Sequence, residues 1–262
     1  MWDNADLLNG CANALYALAA AALLYAGAQA LVYSPRFPLR QLALEGELRH
    51  LTRDQLEYAG MTSGSGTFFS VDLDAVRRAF EALPWVRRAE VRRLWPDRLQ
   101  VAIEEHVALA RWGVDAKPSR LVNIQGEVFE GELADAARLP QFAGPTGSAQ
   151  EVTRRYAALR QALSPLALEP RQVLLSPRYA WQLRLSNGLT LELGRDQLKE
   201  PVLERLARFV AFYPQTLGSL GRRLDYVDLR YPNGFALRVP EMLQPGVAPK
   251  NTKRKRDGKG NA

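Results

Sequence analysis

The sequence predicts an α+β protein carried on a single N-terminal transmembrane helix. A small module of order strand-helix-helix-strand-strand comes first, then a strand-rich α+β domain that ends in a β-hairpin. Three observations carry this reading. Residues 7–35 hold no charged side chain; residues 37–105 switch between helical and alternating apolar spacing in a fixed order; and two turn signals, Asn187-Gly188 and Pro232-Asn233-Gly234, each separate alternating apolar runs. Hydrophobic residues at 47% and charged residues at 24% are ordinary for folded protein, which excludes disorder throughout.

The stretch CANALYALAAAALLYAGAQALVY (11–33) has only Asn13 and Gln29 as strongly polar residues. At about 1.5 Å per residue it reaches roughly 34 Å, enough for a hydrocarbon core of about 30 Å. A helix buried in a soluble core would supply a polar face, and this one has none. Ala28-Gln29-Ala30 fits a signal-peptide cleavage site, but the leading residues MWDNAD are acidic and the apolar run exceeds a signal core, so an uncleaved anchor with a short tail at 1–10 is expected. Taken alone, Asp3 and Asp6 before the span and Arg36 and Arg40 after it would leave the body in the cytoplasm.

After the span, FPLRQLALEGEL (37–48) reads as a strand running into a turn, and LTRDQLEYAG as a short helix closed by Gly60. In SVDLDAVRRAFEALPWV, Leu73, Val76, Phe80 and Leu83 recur at steps of three and four, with Ser70 or Asp72 as the cap and Pro84 as the stop. Then Ala89 and Val91 oppose Glu90 and Arg92, Trp95-Pro96-Asp97 turns the chain, and Leu99, Val101 and Ile103 alternate with Arg98, Gln100 and Glu104. This is a hairpin with a basic outer face. It completes a module over 37–105 whose helices cover one side of a three-stranded sheet.

The second domain, 106–240, holds LVNIQGEVF with its turn at Gly126, a helix over 151–163 with Val152, Tyr156, Leu159 and Leu163 on one stripe, and the hairpin AWQLRLSNGLTLELG. A helix around Lys199–Phe212 precedes the last hairpin, YVDLRYPNGFALR (226–238). Residues 241–262 read as a basic tail: Lys250, Lys253, Arg254, Lys255, Arg256 and Lys259, less Asp257, supply most of the chain's net +7. A single cysteine, Cys11, rules out an intrachain disulfide and a Cys-based metal site. His50 and His106 lie in no metal or nucleophile motif, and no cofactor is expected.

The segments GTFFSVDLDAVRRAFEALPWVRRAEVRRLWPDRLQVAIEEHVALARW (66–112), LVNIQGEVF, AWQLRLSNGLTLELGR, RLARFVAFYP (205–214) and YVDLRYPNGFALR, in this order behind an anchor, resemble the FtsQ/DivIB family of bacterial cell-division proteins. The first of them resembles a POTRA module. The resemblance implies a non-catalytic, single-pass type II protein of the inner membrane, its body periplasmic and concentrated at the division septum. It implies that the last strand and nearby surface receive the FtsB partner of the FtsB–FtsL pair, and that the POTRA module and span make other divisome contacts. Arg230, Tyr231 and Asn233 are then expected on the partner strand, with Arg178 of SPRYAW on the adjoining surface.

The stretch PWVRRAEVRRLWPDRLQV (84–101) carries five arginines, Arg87, Arg88, Arg92, Arg93 and Arg98. In the cytoplasm they would suit phosphate contacts; in an exported body duplex DNA is not the partner, and a solvated sheet face is expected. Two rival functions have requirements the sequence does not meet. A periplasmic hydrolase using Glu104 with Glu105, or Asp225 with Asp228, needs convergent carboxylates, whereas strand neighbours point to opposite faces. An outer-membrane translocator that also uses POTRA modules needs a closed barrel of many strands, longer than the chain that remains. The tail lacks apolar area to offset the entropy of ordering it, so deleting residues 250–262 is expected to leave the thermal midpoint unchanged. A drop of several degrees would mean that the tail is docked on the body.

Overall fold

The computed structural model describes residues 5–34, 37–63, 66–115, 119–198, 200–215, 224–231 and 234–238. The expected tail at 241–262, the turn residues Pro232 and Asn233, and Lys199 lie outside them. The chain divides into two compact units, one running to Ala108 with Phe129–Glu132 added, the other made of Leu109–Val128 and the chain from Leu133 onward.

Helix α1 (Ala5–Val32) is long and apolar enough to cross a membrane. Its Asn9–Val32 window covers about 36 Å, and none of that window is buried against protein. Strand β1 (Gln41–Glu45), helices α2 (Arg53–Ser63) and α3 (Leu73–Glu81), and strands β2 (Val86–Leu94) and β3 (Arg98–Glu105) follow in the expected order. The sheet order is β1-β3-β2, with β1 parallel and β2 antiparallel to the central β3. Leu56 and Ala59 from α2, Val76 and Phe80 from α3, and Ala89, Leu99, Val101 and Ile103 from the sheet make one core.

Local chemistry sets the helix ends. Thr52 and Gln55 form a reciprocal capping box at the start of α2, the Thr52 amide donating to Gln55 Oε1 at 3.0 Å and the Gln55 amide to Thr52 Oγ1 at 3.4 Å. Asp72, rather than Ser70, caps α3 by accepting the amides of Asp74 and Ala75. Gly60 does not close α2, which continues to Ser63. A Cβ at Gly60 would lie 2.9 Å from Leu42 Cδ2, so this glycine permits close helix–strand approach instead of ending the helix.

The arginine-rich hairpin departs from expectation at one position. Strand register pairs Arg93 with Leu99, which puts it on the core side of the sheet, at its end. There its guanidinium donates to the carbonyls of Phe68 (2.8 Å), Phe69 (3.3 Å) and Val71 (2.8 Å). The others are solvated and engaged: Arg87 with Glu104 at 2.8 Å, Arg88 with Glu90 at 3.1 Å, Arg92 with Gln100 at 2.6 Å, and Arg98 with Asp97 at 3.9 Å. Ring stacking occupies the two histidines, His50 on Trp85 at 3.8 Å and His106 on Phe129 at 4.1 Å.

The second unit contains β4 (Ala108–Trp112), β5 (Arg120–Asn123), the short β6 (Val128–Glu130, of which only Val128 belongs to this unit), β7 (Gln141–Ala143), α4 (Ala149–Leu163), β8 (Pro170–Leu175), β9 (Ala180–Leu185), β10 (Thr190–Arg195), α5 (Val202–Phe212), β11 (Tyr226–Asp228) and β12 (Ala236–Arg238). They form one sheet in the order β12-β11-β10-β9-β8-β7-β4-β5-β6. Parallel pairing of β7 with β8 and of β10 with β11 requires crossovers, which α4 and α5 supply. The two helices pack on one another and on the sheet over Phe142, Val173, Leu183, Leu191 and Val227. Helix α5 begins at Val202 because Pro201 takes the N-cap position and Asp196 Oδ1 accepts the Val202 amide at 2.9 Å.

Glu105, at the end of β3, has a side chain only 7% exposed. Its carboxylate accepts three consecutive backbone amides, Arg49 (3.0 Å), His50 (3.2 Å) and Leu51 (3.2 Å), and contacts His50 Nδ1 at 3.1 Å. Burial alone would raise its pKa, but the amides and His50 together outweigh burial and hold it below the ordinary value. A depressed folded-state pKa stabilises the fold above the unfolded value, near 4.5, and that contribution is lost as pH falls through the folded value. Glu105→Gln is therefore expected to cost about 1–3 kcal/mol at neutral pH, with the thermal-midpoint gap to wild type closing toward pH 3. A pH-independent gap would assign the loss to packing.

Candidate functional site

The edge of the large sheet is built by the last hairpin. Strand β11 is paired on both sides, with β10 in parallel and β12 antiparallel, and β12 is paired only with β11. One row of backbone N–H and C=O groups therefore faces outward along β12, the arrangement to which another chain can add a strand. Register places Leu237 opposite Val227, on the core side, yet Val227 is fully buried and Leu237 is 42% exposed. The apolar layer continues to the edge and is left uncovered there.

The base of this edge is a charged knot. Asp228 is buried, and Arg230 folds back on it, with Nε 2.9 Å from Oδ1, Nη2 2.6 Å from Oδ2, and the Arg230 amide also donating to Oδ1 at 3.0 Å. The Arg230 hydrogen bond is the main reason that the Asp228 carboxyl is held below the ordinary carboxylate range. Opposite Asp228 in register lies Glu192, whose carboxyl burial pushes up, partly offset by Arg230. The Arg230 guanidinium stays 56% exposed, so its outer side is open to solvent.

A bulge in β10 makes room for Arg230. Register with β9 shifts between Glu192 and Gly194, and Gly194 takes φ +74°. A Cβ there would meet Arg230 Cγ at 2.8 Å. Beneath the bulge the buried Arg205 of α5 donates through Nη1 to the carbonyls of Leu193 at 2.6 Å and Arg195 at 2.9 Å. Arg155 of α4 pairs with Asp196, which with the α5 start fixes this end of the sheet.

Strand register also locates the sequence-derived candidates. Ala180 stands opposite Arg195 and Glu192 opposite Asp228, so the β8–β9 turn with Arg178 and the segment after β11 with Arg230 and Tyr231 lie at the same end of the sheet, two strands apart. Arg230 and Tyr231 follow the last paired residue of β11, Asp228, and so lie beyond the strand itself. Tyr231 is 55% exposed, Arg178 is exposed, and Asn233 lies outside the described residues.

Two residues escaped the sequence reading. Tyr179 occupies the left-handed region at φ 58°, closing a turn in which its amide donates to the Ser176 carbonyl at 2.8 Å, and its ring is exposed beside Arg178. A bulky residue held there costs of order 1–3 kcal/mol and marks a constrained surface; Pro177 before it signals only a turn. Leu237 looked like one apolar residue of an alternating run, and its position at an edge comes from sheet order alone.

The carboxylates considered for hydrolysis are engaged elsewhere, Glu104 with Arg87, Glu105 with backbone amides and Asp228 with Arg230. Among the described residues, no group of three or more His, Cys, Asp or Glu could hold a metal.

An apolar anchor helix, a β-α-α-β-β module and a mixed sheet with an open terminal hairpin define the class: a membrane-type anchor carrying a POTRA module and a strand-rich binding domain. Residues 37–106 match the family model for the FtsQ-type POTRA domain, and residues 110–230 match that for the cell division protein FtsQ/DivIB C-terminal region. Among its relatives, the cell division protein FtsQ of Burkholderia pseudomallei is 44% identical over 245 residues, covering 92% of this chain and 96% of the relative. The FtsQ of Nitrosospira multiformis is 43% identical over 91% of this chain and 99% of its own length, and that of Escherichia coli 37% identical over 77% and 73%. The chain belongs to the FtsQ family of cell-division proteins.

Gly194→Ala is expected to destabilise the protein by about 1–2 kcal/mol through the positive φ and the displaced Arg230, and to raise the Asp228 pKa toward the ordinary carboxylate value. Carbon-detected NMR titration of Asp228 checks the second part. An unmoved pKa would mean that Arg230 is held by something other than the space above Gly194.

Proposed function

We propose that this protein is a non-catalytic scaffold of the bacterial divisome, crossing the inner membrane once through α1, its two units in the periplasm and concentrated at the septum. A partner of the FtsB–FtsL type adds a strand along β12, its side chains covering Leu237 and contacting Tyr231 and Arg230. Arg178, with Asn233 of the hairpin turn, extends this surface. The POTRA module and the span make further divisome contacts. The observation that carries the reading is the unpaired edge of β12 bearing an exposed core-side leucine. The edge explains affinity through main-chain pairing, and the half-exposed arginine and tyrosine explain selectivity. The domain limits proposed are a cytoplasmic tail at 1–10, the span at 11–33, the POTRA module at 37–105, the partner-binding domain at 106–240 and a basic tail beyond it.

Tyr231 buries a ring while keeping its hydroxyl bonded, and truncating such an anchor typically costs about 2 kcal/mol, roughly thirtyfold in affinity. Tyr231→Ala is thus expected to weaken binding of a purified FtsB–FtsL type complex by that factor with the thermal midpoint retained. Unchanged affinity in a folded variant removes Tyr231 from the site. Parallel losses of stability and affinity make it a packing residue of the hairpin.

A further inference from the structure

We infer that the tip of the β2–β3 hairpin, led by Trp95 and Leu94, is a second membrane contact that seats the first unit on the headgroup layer of the bilayer crossed by α1. This rests on the spanning reading of α1 proposed above. The apolar window of α1, about 36 Å long, exceeds a hydrocarbon core of about 30 Å, so its last residues stand in the headgroup layer. A chain of hydrogen bonds then ties the hairpin to that end. Thr67 Oγ1 donates to the Val32 carbonyl at 2.6 Å, and the Phe68 amide to the Phe37 carbonyl at 2.9 Å. Arg93 Nε donates to the Phe68 carbonyl at 2.8 Å from the end of β2, and the Arg40 amide to the Asp97 carbonyl at 2.9 Å in the turn itself.

The side chains at this end have the composition of a membrane interface. Trp95 is 76% exposed, and Leu94 and Phe69 are exposed beside it. Phe69 stacks edge-on with Phe37 at 5.3 Å, which carries the aromatic surface back toward the span. Arg40 and Arg98 are exposed at the paired starts of β1 and β3, where lipid phosphates would meet them. Tryptophan is favoured at the headgroup level because its ring is amphipathic, and arginine because its charge stays hydrated while its stem lies on apolar surface. Arg93, fully engaged with carbonyls, makes the tip a rigid wedge rather than a loose loop.

The test uses the full chain reconstituted in vesicles of phosphatidylethanolamine and phosphatidylglycerol, with and without acyl-chain bromine as a fluorescence quencher. The spectrum of wild type minus Trp95→Phe isolates Trp95 from the other four tryptophans. The expected result is a blue-shifted difference spectrum that loses intensity with brominated lipid, and recovers part of it in Arg40→Gln/Arg98→Gln protein. A water-like, unquenched difference spectrum in protein that still resists carbonate extraction overturns this inference alone. A blue shift that grows with protein-to-lipid ratio without quenching overturns it in favour of a second copy of the chain. Extraction of the protein by carbonate overturns the spanning reading and this inference with it.

Discussion

The parallel pairing of β10 with β11 is the constraint on which the second unit depends. Two adjacent parallel strands cannot be joined by a tight turn, so the chain must leave the sheet, cross its face and return, and α5 is that crossover. The helix brings Val202, Leu206 and Phe209 over the sheet and, on the same buried face, Arg205, which satisfies the carbonyls loosened by the Gly194 bulge. The return strand leaves only one sheet position, and β12 fills it as the edge. The open strand, the exposed Leu237 and the Asp228–Arg230 knot are thus consequences of one topological choice.

The first unit meets a different constraint. A three-stranded sheet with two helices on one side leaves chain ends and turns whose backbone groups need partners. Charged side chains supply them: Glu105 takes three successive amides and Arg93 takes three carbonyls. These groups sit at opposite ends of the sheet and fix both. The remaining arginines of the hairpin face solvent with acidic or amide neighbours, so the high local charge does not make an unopposed positive patch. Membership of a cell-division family and an apolar helix at the chain start suit a unit whose surface meets other envelope components.

Element type and order were legible in the sequence because each depends on local spacing. The apolar run of α1, the steps of three and four in Leu73, Val76, Phe80 and Leu83, and the Asn187-Gly188 turn each specify a short segment through its own side chains and backbone preferences. The quoted segments also sufficed to recognise the family, and they directed attention to the last hairpin. Two local signals misled. Gly60 reads as a helix stop but serves close packing on β1, and Arg93 reads as one more outward arginine but register turns it toward the core end.

What the sequence by itself determined was therefore the anchor, the two-part organisation, the module's strand and helix order and the neighbourhood of the candidate surface. Only the tertiary structure decided that β12 is an edge, that Arg230 is spent on Asp228 along one side and open on the other, and that Arg178 reaches the same end of the sheet as Tyr231. The physical reason is range. Helices, turns and caps are set by contacts within a few residues, whereas strand order, register and the space above Gly194 are set by partners tens of residues away, whose pairing leaves no periodic trace in the chain.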